Sequence, residues 1–199
     1  GKLQAGLSQH EEALSSYEQS IAAYDAALRR APDYIYALNN QGNALQSLGD
    51  LQTGLSQHED ALSSYEQSIA AYGAALRRAP DNIEVLNNQG NALQSLGDLQ
   101  AGLSQHQEAL SSYEQSIAAY DAALRRAPDD IEVLNNKGLL YVSLCQLQAA
   151  LEFETEARQS LQTALQCFSR SLEMAPNDAF ICEQRDQVQA WLDGEGNQD

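Results

Sequence analysis

The stretch SQHEDALSSYEQSIAAYGAALRRAPD, residues 56–81, decides the fold, because the chain carries it three times. The first copy begins at Ser8 as SQHEEALSSYEQSIAAYDAALRRAPD and the third at Ser104 as SQHQEALSSYEQSIAAYDAALRRAPD, a period of 48 residues. Residues 7–54 differ from residues 55–102 at only six positions: Glu12/Asp60, Asp25/Gly73, Tyr34/Asn82, Tyr36/Glu84, Ala37/Val85 and Thr53/Ala101. A fixed period of tens of residues marks a solenoid, in which each unit buries its apolar face by stacking on the next. A fourth copy from Leu151 keeps Ala157, Phe168, Leu172 and Pro176 but changes most surface positions, as a capping repeat does. At the start, GKLQAGLS matches the GDLQTGLS that begins at Gly49, so the chain reads as cut from a longer array.

Each unit holds two helical patterns. In the second half, Ala61, Tyr65, Ser68, Tyr72, Ala75 and Ala79 step by four and three, with Leu62, Ile69 and Leu76 alongside at heptad spacing. In the first half, Ile35, Leu38, Gly42, Leu45, Leu48, Gln52 and Leu55 trace a similar face. Pro32, Pro80, Pro128 and Pro176 end the second helices, and the Asp or Asn that follows supplies the next N-cap. Asp81-Asn-Ile-Glu84 and Asp129-Asp-Ile-Glu132 have the spacing of a capping box.

These residues resemble the tetratricopeptide repeat family. The stretch from Ala37 to Asp50 looks like that family's first helix, with Leu38 where Trp is common, Gly42 at the close-packing glycine and Leu45 at the aromatic position. Ser68 to Leu76 followed by Ala79-Pro80 is similar to the end of its second helix. The resemblance covers essentially the whole chain and implies an all-α fold, a right-handed α-solenoid of antiparallel helix pairs. The departure is length, since the family's unit has 34 residues.

The excess is two heptads, and seven residues leave a helix face displaced by only about 20°. Gly54-Leu55-Ser56-Gln57-His58-Glu59 reads as a C′ glycine, a hydrophobic C″ residue, an N-cap serine and its capping-box glutamate, so one heptad is expected in each helix. Ser8 with Glu11 and Ser104 with Gln107 repeat it. The expected unit is two helices of about 21 residues, each about 32 Å long. The chain, residues 1–199, is then a single array: a partial first helix at 1–6, the second helix of repeat 1 at 7–32, repeats at 33–80, 81–128 and 129–176, a capping helix at 177–193 and a tail at 194–199.

With 11 Lys+Arg against 28 Asp+Glu the formal charge is −17, which argues against nucleic acid and anionic membrane surfaces, since these need clustered cations. Unit 55–102 alone carries six acids against Arg77 and Arg78, so the acidity is built into the repeat. No apolar run approaches a membrane span. Cys145, Cys167 and Cys182 form no CxxC or paired framework, which favours a reducing compartment, and a cytoplasmic location is expected. The chain starts at Gly1 rather than methionine, which leaves room for a leader already removed.

His10, His58 and His106 recur once per unit, too far apart to share one ion, so packing or surface roles near the turn are expected. The Arg29-Arg30, Arg77-Arg78 and Arg125-Arg126 pairs sit in last turns, where cations complement the helix dipole. No nucleophile stands beside a His and an acid, and no phosphate loop follows a strand pattern; neither catalysis nor a cofactor is expected.

In the family the first helix lines the concave groove. The matching positions here are Asn39, Asn43 and Gln46 in one unit and Asn87, Asn91 and Gln94 in the next; the third unit has Asn135, Leu139 and Val142. A primary amide both donates and accepts, as a ligand main chain requires. Continuing the face reaches Asp50 and Asp98, which favour a basic or neutral segment. The groove lacks the Lys and Arg with which some family members hold a carboxylate terminus. The alternative at this point is that Asn40, Asn88 and Asn136 satisfy backbone groups at turns and the other amides solvate the helix. The expected function is a non-catalytic scaffold binding an extended peptide or protein segment; the rivals are self-assembly through exposed repeat ends and a regulatory arm of a larger enzyme.

Overall fold

Small and aromatic residues alternate along the second helices, and that pattern lets helices approach closely enough to stack into an array. In the computed structural model, which describes residues 2–194 (side chains from residue 9), the chain forms α1 (Lys2–Arg30), α2 (Ile35–Gly54), α3 (His58–Arg78), α4 (Ile83–Gly102), α5 (His106–Arg126), α6 (Ile131–Ala150), α7 (Glu154–Met174) and α8 (Ala179–Asp193). No strand occurs among the described residues. The fold is an all-α solenoid, and the two added heptads are shared, with 20 residues in α2, α4 and α6 and 21 in α3, α5 and α7.

The layers follow from contact. The even-numbered helices touch their successors, α2 with α4 and α4 with α6, whereas no comparable contact joins α3 to α5 or α5 to α7. The even helices therefore lie along the shorter, concave arc.

Within each pair the helices meet at glycine. A Cβ on Gly42 would lie 2.5 Å from Tyr72 Cε1, and one on Gly90 would lie 2.5 Å from Tyr120 Cε1. Both rings are fully buried. Gly49 and Gly97 accept Tyr65 and Tyr113 in the same way, and Gly138 accepts Phe168.

Two features of the punctuation differ from the sequence expectation. Gly54 is the last helical residue rather than a C′ glycine, and Ser56 is not an N-cap: it stands at φ 59°, in the left-handed region. The Ser56 N–H donates to Thr53 O at 3.0 Å and the Gln57 N–H to Gln52 O at 2.8 Å, the paired bonds of a Schellman turn. Ser104 and Glu152 repeat it at φ 60° and 63°. The N-caps that bond through a side chain are Asn82, Asp130 and Asp178, one residue later than the capping-box spacing suggested.

At the start, the expected break between a partial helix at 1–6 and a second helix at 7–32 is absent, and α1 runs unbroken from Lys2 to Arg30. A left-handed serine costs about 1–2 kcal/mol. Gly194 caps α8 at φ 82°; Gly1 and the rest of the expected tail, 195–199, lie outside the described residues.

Candidate functional site

The first helices α2 and α4 each keep one stripe that reaches solvent: exposed Tyr36, Asp50 and Gly54 with half-buried Asn43 and Ser47 in α2, then exposed Glu84, Asp98 and Gly102 with half-buried Asn91 and Ser95 in α4. Because the even helices lie side by side, the stripes adjoin and form a continuous concave surface.

The buried tyrosines set the amides on this surface. Ser68 Oγ donates to Gly42 O at 2.8 Å, which seats the Tyr72 ring, and the Tyr72 hydroxyl donates to Asn43 Oδ1 at 2.6 Å. Ser116, Gly90, Tyr120 and Asn91 repeat the arrangement at 2.7 and 2.6 Å. Burial pushes both phenols above the usual tyrosine range, so they remain donors. With its oxygen taken, each asparagine has its Nδ2 hydrogens left for another acceptor. In the next unit Ala164, Phe168 and Leu139 replace the serine, tyrosine and asparagine together, so the hydroxyl and its acceptor disappear as a set.

Asn39 and Asn87 have a different role from the one the sequence suggested. Each is only 4% exposed. Asn39 Nδ2 donates to Glu84 Oε1 at 2.8 Å and its Oδ1 accepts from Asn88 Nδ2 at 3.1 Å; Asn87 is bound identically by Glu132 and Asn136. These amides join one repeat to the next and are not presented to a ligand. Glu84 and Glu132 thus bridge repeats instead of closing capping boxes, and Asn88 and Asn136 donate across the junction instead of satisfying a turn. At Asn135 the ladder ends: Phe180 stands where the glutamate would, and Asn135 Oδ1 is buried without a partner. Gln46 and Gln94 are half-buried at the edge of the surface.

Asp50 and Asp98 keep a solvent edge while their inner side lies against a tyrosine. The Tyr65 hydroxyl donates to Asp50 Oδ1 and that of Tyr113 to Asp98 Oδ1, both at 2.7 Å. Burial raises both carboxyls above the usual range, opposed by the Tyr65 bond at Asp50 and by Tyr113 and Ser143 at Asp98. Among the described residues, Asp33, Asp81, Asp121, Asp129 and Asp186 are ion-paired, whereas Asp50 and Asp98 meet no cation.

A carboxyl raised in the folded state binds protons more tightly there than in the unfolded chain. It therefore costs stability above its folded-state pKa, and the cost is relieved as pH falls through that value. Asp50→Asn with Asp98→Asn is expected to melt higher than the parent at pH 7, and the advantage should shrink on mild acidification. Thermal melts against pH check this; a variant that melts lower at pH 7 would show that the tyrosine-bonded carboxylates are stabilising.

The recurring histidines open the second helices: His58 and His106 are half-buried, and the Nδ1 of each is buried without a partner. No cluster of three or more metal-ligating side chains occurs among the described residues. Of the arginine pairs, Arg78 reaches Asp33 and Arg126 reaches Asp81 at 2.5 Å, so the C-terminal arginines also tie repeats together at the rim. Such exposed pairs are worth about 0–1 kcal/mol each. Cys145, Cys167 and Cys182 are free thiols, and no described helix is long and apolar enough to cross a membrane.

Sequence reasoning did not single out Ser47 and Ser95, which lie between the oriented amides and the carboxylates, nor the exposed pair Tyr34 and Tyr36, 53% and 65% accessible with ring centroids 6.0 Å apart. The signal for the tyrosines was present: both are among the six positions at which otherwise matching units differ.

The tetratricopeptide repeat family model matches residues 6–62, 53–110 and 102–179. Among solved structures, a tetratricopeptide repeat protein from Parabacteroides merdae is similar at 20% identity, covering 94% of this chain and 74% of that one with a TM-score of 0.36. No curated protein matches the chain.

Proposed function

The chain belongs to the tetratricopeptide repeat family, whose repeats generally mediate protein–protein interaction and are typically non-catalytic, and from that premise we propose that its concave surface holds an extended peptide or protein segment. One observation carries the reading: Asn43 and Asn91 have their oxygens fixed by buried tyrosines, which leaves amide donors at the same place in successive units. Donors repeated at a constant interval suit the carbonyls of an extended main chain, whatever its side chains. Asp50 and Asp98, which form no ion pair among the described residues, favour a basic or neutral segment over an acidic one. Tyr34 and Tyr36 add an aromatic contact at the end of the surface, the residue type that dominates interface energetics.

The test is to pan a phage-displayed library of random dodecapeptides against the full chain and to measure the captured peptides on two variants. Ser47→Trp with Ser95→Trp fills the concave stripe; Ser63→Trp with Ser111→Trp alters exposed positions on α3 and α5. Captured peptides should lose at least about tenfold in affinity on the first variant, roughly the worth of one well-placed contact, and keep it on the second. Equal loss on both, or loss on the second alone, would place binding elsewhere.

A further inference from the structure

Three clefts open at successive repeat junctions, and they occupy equivalent places in the 48-residue unit. The first, about 480 Å³, lies between Asp50, His58 and Tyr65 on one side and Ser95 and Asp98 on the other. The second, about 440 Å³, has Asp98, His106 and Tyr113 facing Ser143 and Gln146. The third, about 410 Å³, has Gln146, Glu154 and Leu161 facing Trp191 and Gly194.

The positions match but the chemistry is graded. The inner helices supply two carboxylates to the first cleft, one to the second and none to the third. The tyrosine of the first two clefts becomes leucine in the third, and the serine of the opposite wall becomes tryptophan. Arg158 joins the third cleft beside Glu154, so little net charge remains there. Asp50 and Asp98 accept from tyrosine hydroxyls, and among the described residues neither forms an ion pair, the histidines His58 and His106 in the same clefts included.

Resting on the reading of the concave surface given above, we propose that the bound segment sets a lysine or arginine in each of the first two clefts and a large apolar side chain, aromatic or leucine-sized, against Trp191 in the third. Spacing follows from geometry. Helices in contact lie about 8–10 Å apart. A polyproline II segment advances about 3.1 Å per residue and returns to the same face every three residues, about 9 Å on. The fitting pattern is basic-x-x-basic-x-x-apolar, read in the one chain direction that the clefts accept. A flat β-strand fits less well, because residues three apart point to opposite faces. The grading also fixes register. Three identical clefts would let a ligand slip by one repeat, whereas a third cleft in which Arg158 balances Glu154 does not attract a cation and so specifies both position and direction.

Fluorescein-labelled peptides with proline and alanine spacers test the proposal by fluorescence polarisation on the full chain. One carries lysine, lysine and phenylalanine at third positions; a second has the order reversed; a third has glutamate for lysine; a fourth has serine for phenylalanine. One of the two orders should bind at least about tenfold more tightly than the other, and its affinity should fall with rising salt and be lost with glutamate. Asp50→Asn with Asp98→Asn should weaken the lysine peptides by about tenfold or more. Trp191→Ala should weaken the phenylalanine peptide while leaving the serine peptide unchanged. The peptide-side changes carry the same logic without altering the protein, so a poorly folded variant does not excuse the result. Equal binding of both orders overturns the graded register, and indifference to charge overturns the cationic clefts. If binding is blocked by Ser47→Trp with Ser95→Trp yet ignores lysine and phenylalanine, the concave surface stands and the cleft chemistry fails. If that pair of tryptophans has no effect, the surface itself is wrong.

Discussion

Gly90→Ala is expected to destabilise the array by about 2 kcal/mol, within the range usual for overpacking a filled core. The same change at Gly73 is expected to stabilise it by about 1 kcal/mol. Both glycines lie inside helices, so helix propensity favours alanine at each. The difference is what the methyl meets. At Gly73 the nearest atom is Gln89 Nε2 at 3.9 Å, an ordinary contact. At Gly90 the methyl would lie 2.5 Å from Tyr120 Cε1 and 2.8 Å from Cδ1 and Cζ. The ring has no room to retreat, being fully buried with its hydroxyl held by Asn91 at 2.6 Å. Relief therefore requires α4 and α5 to separate, which also lengthens the Ser116 bond to Gly90 O. Chemical denaturation of the two variants gives the comparison. Destabilisation of equal size at both positions would mean that the ring contact does not set the difference between the two glycines.

The helix-pair architecture was legible because every repeat states it again: the tyrosine and alanine spacing, the prolines and Gly42 each recur at a 48-residue interval. The sharing of the added heptads was legible as well, though through the wrong atoms. The turn at Gly54-Leu55-Ser56 was located correctly, yet the left-handed residue is the serine and the glycine is helical. Propensity alone would assign the left-handed position to glycine. In the structure it falls to the residue whose N–H reaches Thr53 O when α3 folds back on α2.

The site was legible only in part for a related reason. Steps of four and three place Asn39, Asn43, Gln46 and Asp50 along one side of a helix, but not all on its open edge. Which edge is covered depends on where the next repeat sits, and that is a property of stacking rather than of periodicity. Asn39 falls beneath Glu84 and Asn88 of the following unit, and Asn43 remains at the surface. Changing Asn39, Asn43, Asn87 and Asn91 together would therefore mix a binding surface with a structural ladder, which is why Ser47 and Ser95 serve better as probes of binding.

Asn87→Ala is expected to lower stability by about 2–3 kcal/mol, at roughly 1 kcal/mol per hydrogen bond with a further penalty for buried groups left unpaired. The amide makes two bonds to the next repeat, to Glu132 and from Asn136, while being itself 4% exposed. Glu132 is exposed and regains water when its donor is lost; Asn136 is half-buried and regains less. Asn135 supplies the control within the same chain. Its oxygen is already buried without a partner and no glutamate follows it, so Asn135→Ala should cost well under half as much. The effect at Asn87 should also be specific to repeat coupling. In a linear array, stability is a sum of unit terms and nearest-neighbour terms, and a change confined to a junction weakens the second kind. Urea unfolding of Asn87→Ala should then broaden or split as the two sides of the junction come apart at different concentrations. Glu132→Ala should be partly masked in the Asn87→Ala background, with a coupling of about 1 kcal/mol, as expected for residues in contact. Strict additivity of the two changes, or equal losses at Asn87 and Asn135, would remove the ladder from the list of forces that hold the repeats in line.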